Sequence, residues 1–484
     1  MLITLFTHRK SSGHYPETEE STDMRIRIAA VITAILLTVS PLCGCSNPAG
    51  GELMRPPYPA GEEKNIQEQL TKSLGSFVLK YPKSGSYRSA IIQTDLTGDK
   101  KNDALVFYRN DESTPVSLAV LCQKDGRWQL VCRKEGEGGE VERVMFGDIN
   151  GDGVSEIIVG WTIYSTGLNI ISAYSLKESS LSVIDVKEYS EARASNIPVA
   201  YSDMQIYDFD NDGSDEIIAS YVNLSEGTGT AKLIECHLGV DDQETMSVTD
   251  TTPLDGNVIY YNETKVAKLT DDNNVGVVLD GYKDNSTVIT EYIYWDASEG
   301  DLKTPFYNVE EQTVTSTARH INIASRDIDF DGVIDIPVTE YLPGYDETSE
   351  NPMYLTTWYS IDFGSDGCQF INKKKNVINT SENYSVTWQS SWNGNVTCRL
   401  DENNRILYFY RYQKDRFAFS EELFRIKVFT QKEWNEEAAG LGESLDKGGV
   451  IQLAQDGDTV YAAFLSPEQN LADAASLQSY FSLM

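Results

Sequence analysis

The chain has 484 residues, 40 of them Lys or Arg and 74 Asp or Glu, for a formal net charge of −34. So acidic a surface repels phosphate backbones and argues against a nucleic-acid partner. The length exceeds one average domain, although all-β repeat folds run long as single units.

The first segment reads as targeting sequence. Residues 1–23 are mostly polar and stand ahead of Met24, as in an over-extended start. Met24-Arg25-Ile26-Arg27 is a short positive region, and the apolar run Ile28 to Val39 is too short to span a bilayer comfortably. Leu42-Cys43-Gly44-Cys45 then resembles the bacterial lipobox. That resemblance implies cleavage before Cys45 and diacylglycerol on its sulfur, which would tether the chain by lipid to the outer face of the cell membrane. Residues 46–61, with Pro48, Pro56, Pro57 and Pro59, read as a tether. Over residues 62–75 the spacing of Ile66, Leu70 and Leu74 predicts a short amphipathic helix that caps the repeats beginning at residue 76.

From residue 76 to 375 the chain is repetitive. Asp148, Asn150, Asp152 and Glu156 set side-chain oxygens at the first, third, fifth and ninth places of a loop, and an apolar β-branched run comes directly after. Asp208, Asp210, Asp212 and Glu216 repeat the pattern, as do Asp327, Asp329, Asp331 and Asp335, each with Gly after the third ligand (Gly153, Gly213, Gly332). Alternating oxygens with a turn glycine suit a hard cation such as Ca2+. A weaker copy holds Asp95, Thr97, Asp99 and Asp103, with Lys100 where Gly belongs. A degenerate one at Lys268 keeps the apolar run, but loses the first ligand to a lysine and the ninth to Gly276. Units of about sixty residues holding about four strands are the size of propeller blades, and each buries its faces only against its neighbours.

Phe146-Gly147, the Asp-x-Asp-x-Asp-Gly-x-x-Asp/Glu cadence and Ile158-Val159-Gly160 resemble the FG-GAP, or VCBS-type, repeats of integrin-like propellers, over roughly Ser76 to Lys375. The resemblance implies a mainly β chain with a propeller of about five blades and structural calcium in the loops. It adds the backbone carbonyls of Val154, Ser214 and Val333 as ligands. Tyr81 to Ala90 also looks like a stretch of Gram-positive lipoproteins of this repeat type.

Residues 376–484 lack the acidic cadence. Strands are expected at Tyr384–Trp388, Val396–Leu400, Ile406–Tyr410, Leu423–Phe429 and Val460–Phe464, with helices at Gln431–Ala439 and Asn470–Phe481. These suggest a small α+β domain. The alternative is two further, decayed blades completing a seven-bladed propeller.

Five cysteines remain beyond the signal, at 122, 132, 236, 368 and 398. In a hairpin centred on Asp125-Gly126, Cys122 would face Gln129 and Cys132 would face Ala119. The sulfurs would lie on opposite faces and stay free. Of the histidines only His237 and His320 lie beyond the signal, and neither stands in a metal or triad motif. No nucleophile elbow, zinc-protease motif or phosphate loop is present. The chain therefore reads as a lipid-anchored binding module with an unidentified protein or glycan ligand, the alternative being a carbohydrate-active enzyme on the same scaffold. Trp161, Trp295, Trp358, Tyr359, Trp388 and Trp392 are candidates for stacking on a sugar or filling a protein pocket, with core packing as the plainer fate.

Overall fold

A computed structural model describes residues 61–484 except 178, 239–242, 271–274, 365–366, 415–418, 420, 442–448 and 468–472. The signal, Cys45, most of the tether and the centre of the degenerate loop lie outside the described residues. No described helix is long and apolar enough to cross a membrane.

The chain is mainly β, laid out as successive antiparallel meanders. Sheet 1 holds β1 (Val78–Lys80) and β2 (Ile91–Thr94), which share one edge of β3 (Asp103–Arg109), then β4 (Ser117–Lys124) and β5 (Arg127–Glu135). Sheet 2 runs β6 (Glu140–Gly147), β7 (Glu156–Ile163), β8 (Leu168–Lys177) and β9 (Ser180–Ser190), with β10 (Ser195–Pro198) and β11 (Ala200–Tyr201) attached. Sheet 3 runs β12 (Asp203–Tyr207), β13 (Glu216–Asn223), β14 (Thr228–Leu238) and β15 (Glu244–Leu254). A short parallel pairing of β15 with β9 fuses sheets 2 and 3. Sheet 4 holds β16 (Tyr260–Lys268), β17 (Val275–Tyr282), β18 (Val288–Asp296) and β19 (Asp301–Lys303). Sheet 5 holds β20 (Ile336–Tyr341), β21 (Tyr354–Gly364), β22 (Gly367–Asn379) and β23 (Tyr384–Thr387). Sheet 6 is formed by β24 (Val396–Asp401), β25 (Ile406–Arg411), β26 (Glu422–Thr430), β27 (Val450–Asp456) and β28 (Thr459–Leu465), in the order β24-β25-β26-β28-β27. The terminal strand β29 (Phe481–Leu483) returns to pair with β23.

The sheets pack face to face in chain order, because strands apolar on both faces must be covered twice. Phe107 and Leu118 of sheet 1 meet Val159 and Trp161 of sheet 2, and Ile158 and Ala173 of sheet 2 meet Met204 and Ile217 of sheet 3. Ile218 and Leu233 then meet Val277 and Ile293, and Val278 and Tyr292 meet Ile336 and Ile361. Val377 and Tyr384 of sheet 5 meet Phe409 and Phe424 of sheet 6 around a buried Trp392. Helices cover the two outer faces. Ile66 and Leu70 of α1 (Glu62–Leu74) lie on Ala104, Val106 and Leu121, and Trp434 of α2 (Gln431–Leu441) lies on Phe429, Val460 and Phe464. A third helix, α3 (Ala474–Tyr480), leads into β29.

Two details differ from the sequence reading. The boundary placed between residues 375 and 376 falls inside β22, and the end of the chain returns to sheet 5. The hairpin at Asp125-Gly126 forms, both residues having positive φ, and Cys122 faces Gln129. A bulge at Val120/Leu121, however, moves Cys132 opposite Val120. Strand alternation then puts both thiols on one face instead of two. Both are free, and burial pushes Cys122 up to about 12 and Cys132 up to about 11.

Candidate functional site

The acidic loops at Asp95, Asp148 and Asp208 each join two paired strands of one sheet, β2 to β3, β6 to β7 and β12 to β13, while the loop at Asp327 leads into β20 and is closed by a bridge between Arg326 and Asp335. The loop after β12 is the most compact. Carboxylate oxygens of Asp208, Asp210, Asp212 and Glu216 all lie within 4.8 Å of one another. Backbone N–H groups hold the cluster together. Asp208 accepts from the N–H of Asp212 (3.1 Å) and Gly213 (3.2 Å), Asp212 accepts from the N–H of Ser214 (2.8 Å), and Glu216 accepts from that of Phe209 (2.8 Å). Gly213 sits at φ +98°, which a side chain would resist. Burial, reinforced by the charges of Asp210, Asp212 and Asp208, pushes Glu216 up to about 8. Crowded carboxylates with shifted affinities for protons are what a cation would relieve.

The loop after β6 has the same frame. Asp148 accepts from the N–H of Asp152 (3.0 Å) and Gly153 (2.8 Å), and Asp152 accepts from that of Val154 (2.9 Å). Its ninth residue behaves differently. Glu156 is buried, takes one hydrogen bond from the Asn150 amide (3.2 Å), and keeps Oε2 without a hydrogen-bond partner. Burial pushes Glu156 up to about 7, tempered by Ser175 and reinforced by Asp152, Glu244 and Asp148. An all-oxygen set with one buried, unpartnered carboxylate oxygen fits a hard cation.

In the third strong copy, oxygens of Asp327, Asp329 and Asp335 come within 4.8 Å. Asp331 is drawn elsewhere. The Lys373 ammonium of β22 bridges Asp329 (2.9 Å) and Asp331 (2.8 Å), and these contacts hold Asp331 below the usual carboxylate range. The weak copy keeps the frame, with Asp95 accepting from the N–H of Gly98 (2.8 Å) and Lys100 (2.7 Å), and Asp103 from that of Leu96 (3.0 Å). Lys100 takes φ +65° in the glycine's place, and Lys101 pairs with Asp99 at 3.2 Å.

Several participants could not be found from the motif. Asp215 lies between two loops, its carboxylate accepting from the N–H of Asp148 (2.8 Å) while its own N–H donates to the Asp148 carbonyl (2.8 Å). The same stitch recurs from the Ile334 N–H to the Lys268 carbonyl (2.9 Å). Each joins the eighth place of one loop to the first place of the loop before it. Glu244, at the start of β15, accepts from the Asn150 amide (3.0 Å) and pairs with Lys177. These links tie neighbouring sheets together at the acidic end.

The first strands of sheets 2, 3 and 4 border a polar cavity of about 340 Å³, lined among others by Tyr87, Arg143, Gln205, Tyr261 and Asn262. Arg143 is committed there to Asp203 through two 3.0 Å hydrogen bonds and to Glu142 at 2.9 Å. A separate charged cluster is wholly internal. Arg319 donates to Asp280 (2.7 Å), Thr290 Oγ1 (2.8 Å) and the Ile323 carbonyl (2.6 Å), and Asp280 also accepts from the Ser325 N–H (2.7 Å). Each side-chain nitrogen of Arg319 and each carboxylate oxygen of Asp280 has a partner within the fold.

Core packing, the plainer fate, holds for most of the candidate aromatics. Trp161, Trp358, Trp388 and Trp392 are buried, while Trp295 and Tyr359 are half-buried. Large aromatic area is the cheapest filler between sheets, so it went inside. His320 stacks on Tyr341 and Tyr354, with no acidic partner among the described contacts.

No protein-family model matches this chain, and no curated protein is similar to it. Among solved structures it resembles the exotype rhamnogalacturonan lyase YesX, at 14% identity and TM-score 0.29 over 72% of each chain. It also resembles a Bacillus licheniformis rhamnogalacturonan lyase (12%, TM-score 0.29, 71% of this chain and 77% of that one) and the Dos1 propeller (10%, TM-score 0.27, 67% and 65%). Likenesses so distant carry no argument about what this chain does.

Proposed function

We propose that the chain is a lipid-anchored extracellular binding module whose meanders are propeller-like blades of the FG-GAP type, stapled at one end by calcium. The observation that carries this is the loop from Asp208 to Glu216, which crowds four carboxylates around one point with no lysine or arginine on the cluster among the described contacts. In the neighbouring loop, the unpartnered Oε2 of Glu156 argues in the same direction. Asp148, Asn150, Asp152 and Glu156 would hold a second ion, and Asp327, Asp329, Asp331 and Asp335 a third. The ion would neutralise the loops and lock the stitches between sheets, leaving the opposite end as the free binding face. The anchor reading rests on Cys45 and its preceding segment.

Calcium titration of the chelated protein by calorimetry tests the metal half. Binding on the order of 10⁻⁴ to 10⁻³ M is expected, as for extracellular modules, and it should weaken when Asp208 and Asp210 are both changed to Asn. Heat changes no different from buffer would overturn it.

A further inference from the structure

The ends of the sheets opposite the acidic loops are chemically unlike them. The strand that enters each loop starts there, and the strand that leaves the loop ends there beside the start of the next strand. In sheet 4 this brings together Tyr260, which opens β16, and Tyr282, which closes β17; they are register partners with rings 4.9 Å apart and 18° from parallel. In sheet 5 it brings together Tyr341, closing β20, and Tyr354, opening β21, also register partners, with rings 5.2 Å apart and tilted by 34°. His320 stacks beside them, 5.3 Å from Tyr354. Tyr260 is 52% exposed and Tyr341 37%. Each therefore offers solvent a ring that its partner holds in place.

We propose that these two tyrosine pairs form a platform for a neutral glycan, which gives the binding module above its ligand class and rests on that reading. A ring braced by a neighbouring ring exposes a flat face with a hydroxyl at its rim, suited to the C–H face and the hydroxyls of a pyranose. The surroundings are mostly polar, with Asn262, Glu263, Asp284, Ser286 and Glu340 exposed nearby in sequence and Ile259 the one exposed aliphatic side chain directly beside Tyr260. A protein docking site would instead want a continuous apolar patch. The net charge of −34 disfavours a polyanionic polymer.

The two pairs sit on one backbone ladder. Tyr282 pairs with Val288, Val288 with Arg319, and Thr339, two residues before Tyr341, donates its N–H to the Ala318 carbonyl (3.4 Å) while its hydroxyl accepts from the His320 N–H (2.9 Å). Three strand spacings make a separation of roughly 15 Å, a span for a short oligosaccharide rather than a single sugar. A bulge at Asn262 supplies a further element. It lies two residues beyond Tyr260 and lines the polar cavity, and bulges re-aim side chains beside such sites.

The test is calorimetric binding of the full chain, in calcium, to neutral gluco-, manno-, galacto- and N-acetylglucosamine oligosaccharides. At least one series should bind, with Tyr260→Ala and Tyr341→Ala each weakening it by about fivefold or more and the Phe variants staying within about twofold. Thermal melts of the variants separate a loss of binding from a loss of fold, and the Phe variants should melt with the parent. No binding by any series, binding indifferent to both Ala changes, or equal loss in the Phe variants would overturn the platform. A protein that responds to calcium and binds no glycan loses this inference alone. One that binds glycan through Tyr260 while ignoring calcium loses only the staples.

Discussion

The loops at Asp208 and at Asp327 have nearly the same frame and opposite electrostatic solutions. Both use the first carboxylate to collect backbone N–H groups and the ninth to accept from the second residue. At Asp327 an ammonium from β22 sits on the third and fifth ligands, so part of the charge is answered from within. At Asp208 no cation is seen on the cluster among the described contacts. The contrast teaches that the repeat encodes a geometry, and that residues far away in sequence decide how much of its charge is left for a metal. The Asp280–Arg319 pair marks the limit of the internal solution, where the counter-charge is fixed and fully buried.

That limit sets the largest expected effect. Arg319→Met leaves Asp280 charged and buried, and should cost about 3–5 kcal/mol. Calcium should not restore it, since this pair belongs to no loop; chemical denaturation with and without calcium measures both points. If calcium rescued the variant, internal and metal neutralisation would not be separate devices.

A buried acid with no ion pair among the described contacts offers the next comparison. Glu291 accepts from the Asp255 N–H (2.8 Å) and the Tyr261 hydroxyl (2.9 Å), and burial, reinforced by the Asp255 charge, pushes it up to about 7. The folded state therefore keeps this proton while the unfolded chain releases it near its ordinary value. Stability from this group is full below about pH 4.5 and lost as pH rises toward 7, amounting to about 3 kcal/mol. Glu291→Gln should flatten that slope in denaturation at a series of pH values taken in saturating calcium. An unchanged slope would remove Glu291 as its source.

Lys373→Met makes the smallest and most pointed change. The ammonium is partly exposed, so its loss should cost under about 1 kcal/mol without calcium. The freed Asp329 and Asp331 should then bind calcium more tightly, which would make this loop resemble the one at Asp208. Calorimetric titration of the variant reads that gain directly; a weaker or unaltered site would show that Lys373 is not competing for the position.

How much of this was legible in the sequence depends on range. The loops, their places between strands and the turn at Asp125-Gly126 are local patterns, and a local pattern survives reading in one dimension. The fate of Cys132 hung on one extra residue in β5, a bulge that alternation alone does not reveal. Core packing is the plainer reading for Trp161 and Trp392, and both lie fully buried between successive sheets. Lys373, Asp215 and Glu244 reach their loops from other strands or sheets, with no motif to mark them. Tyr260 and Tyr282 become a pair only through the register of β16 with β17. The return of β29 to β23 likewise crosses a whole sheet of intervening sequence.

The central claim is that the acidic end is held by calcium, and a thermal melt of the full chain in calcium and in chelator tests it most directly. With calcium at one hundred times its dissociation constant, each occupied loop adds about 2.7 kcal/mol by mass action. The account predicts a melt several degrees higher in calcium, with a smaller increment when Asp208 and Asp210 are Asn. Identical melts in calcium and chelator would contradict it.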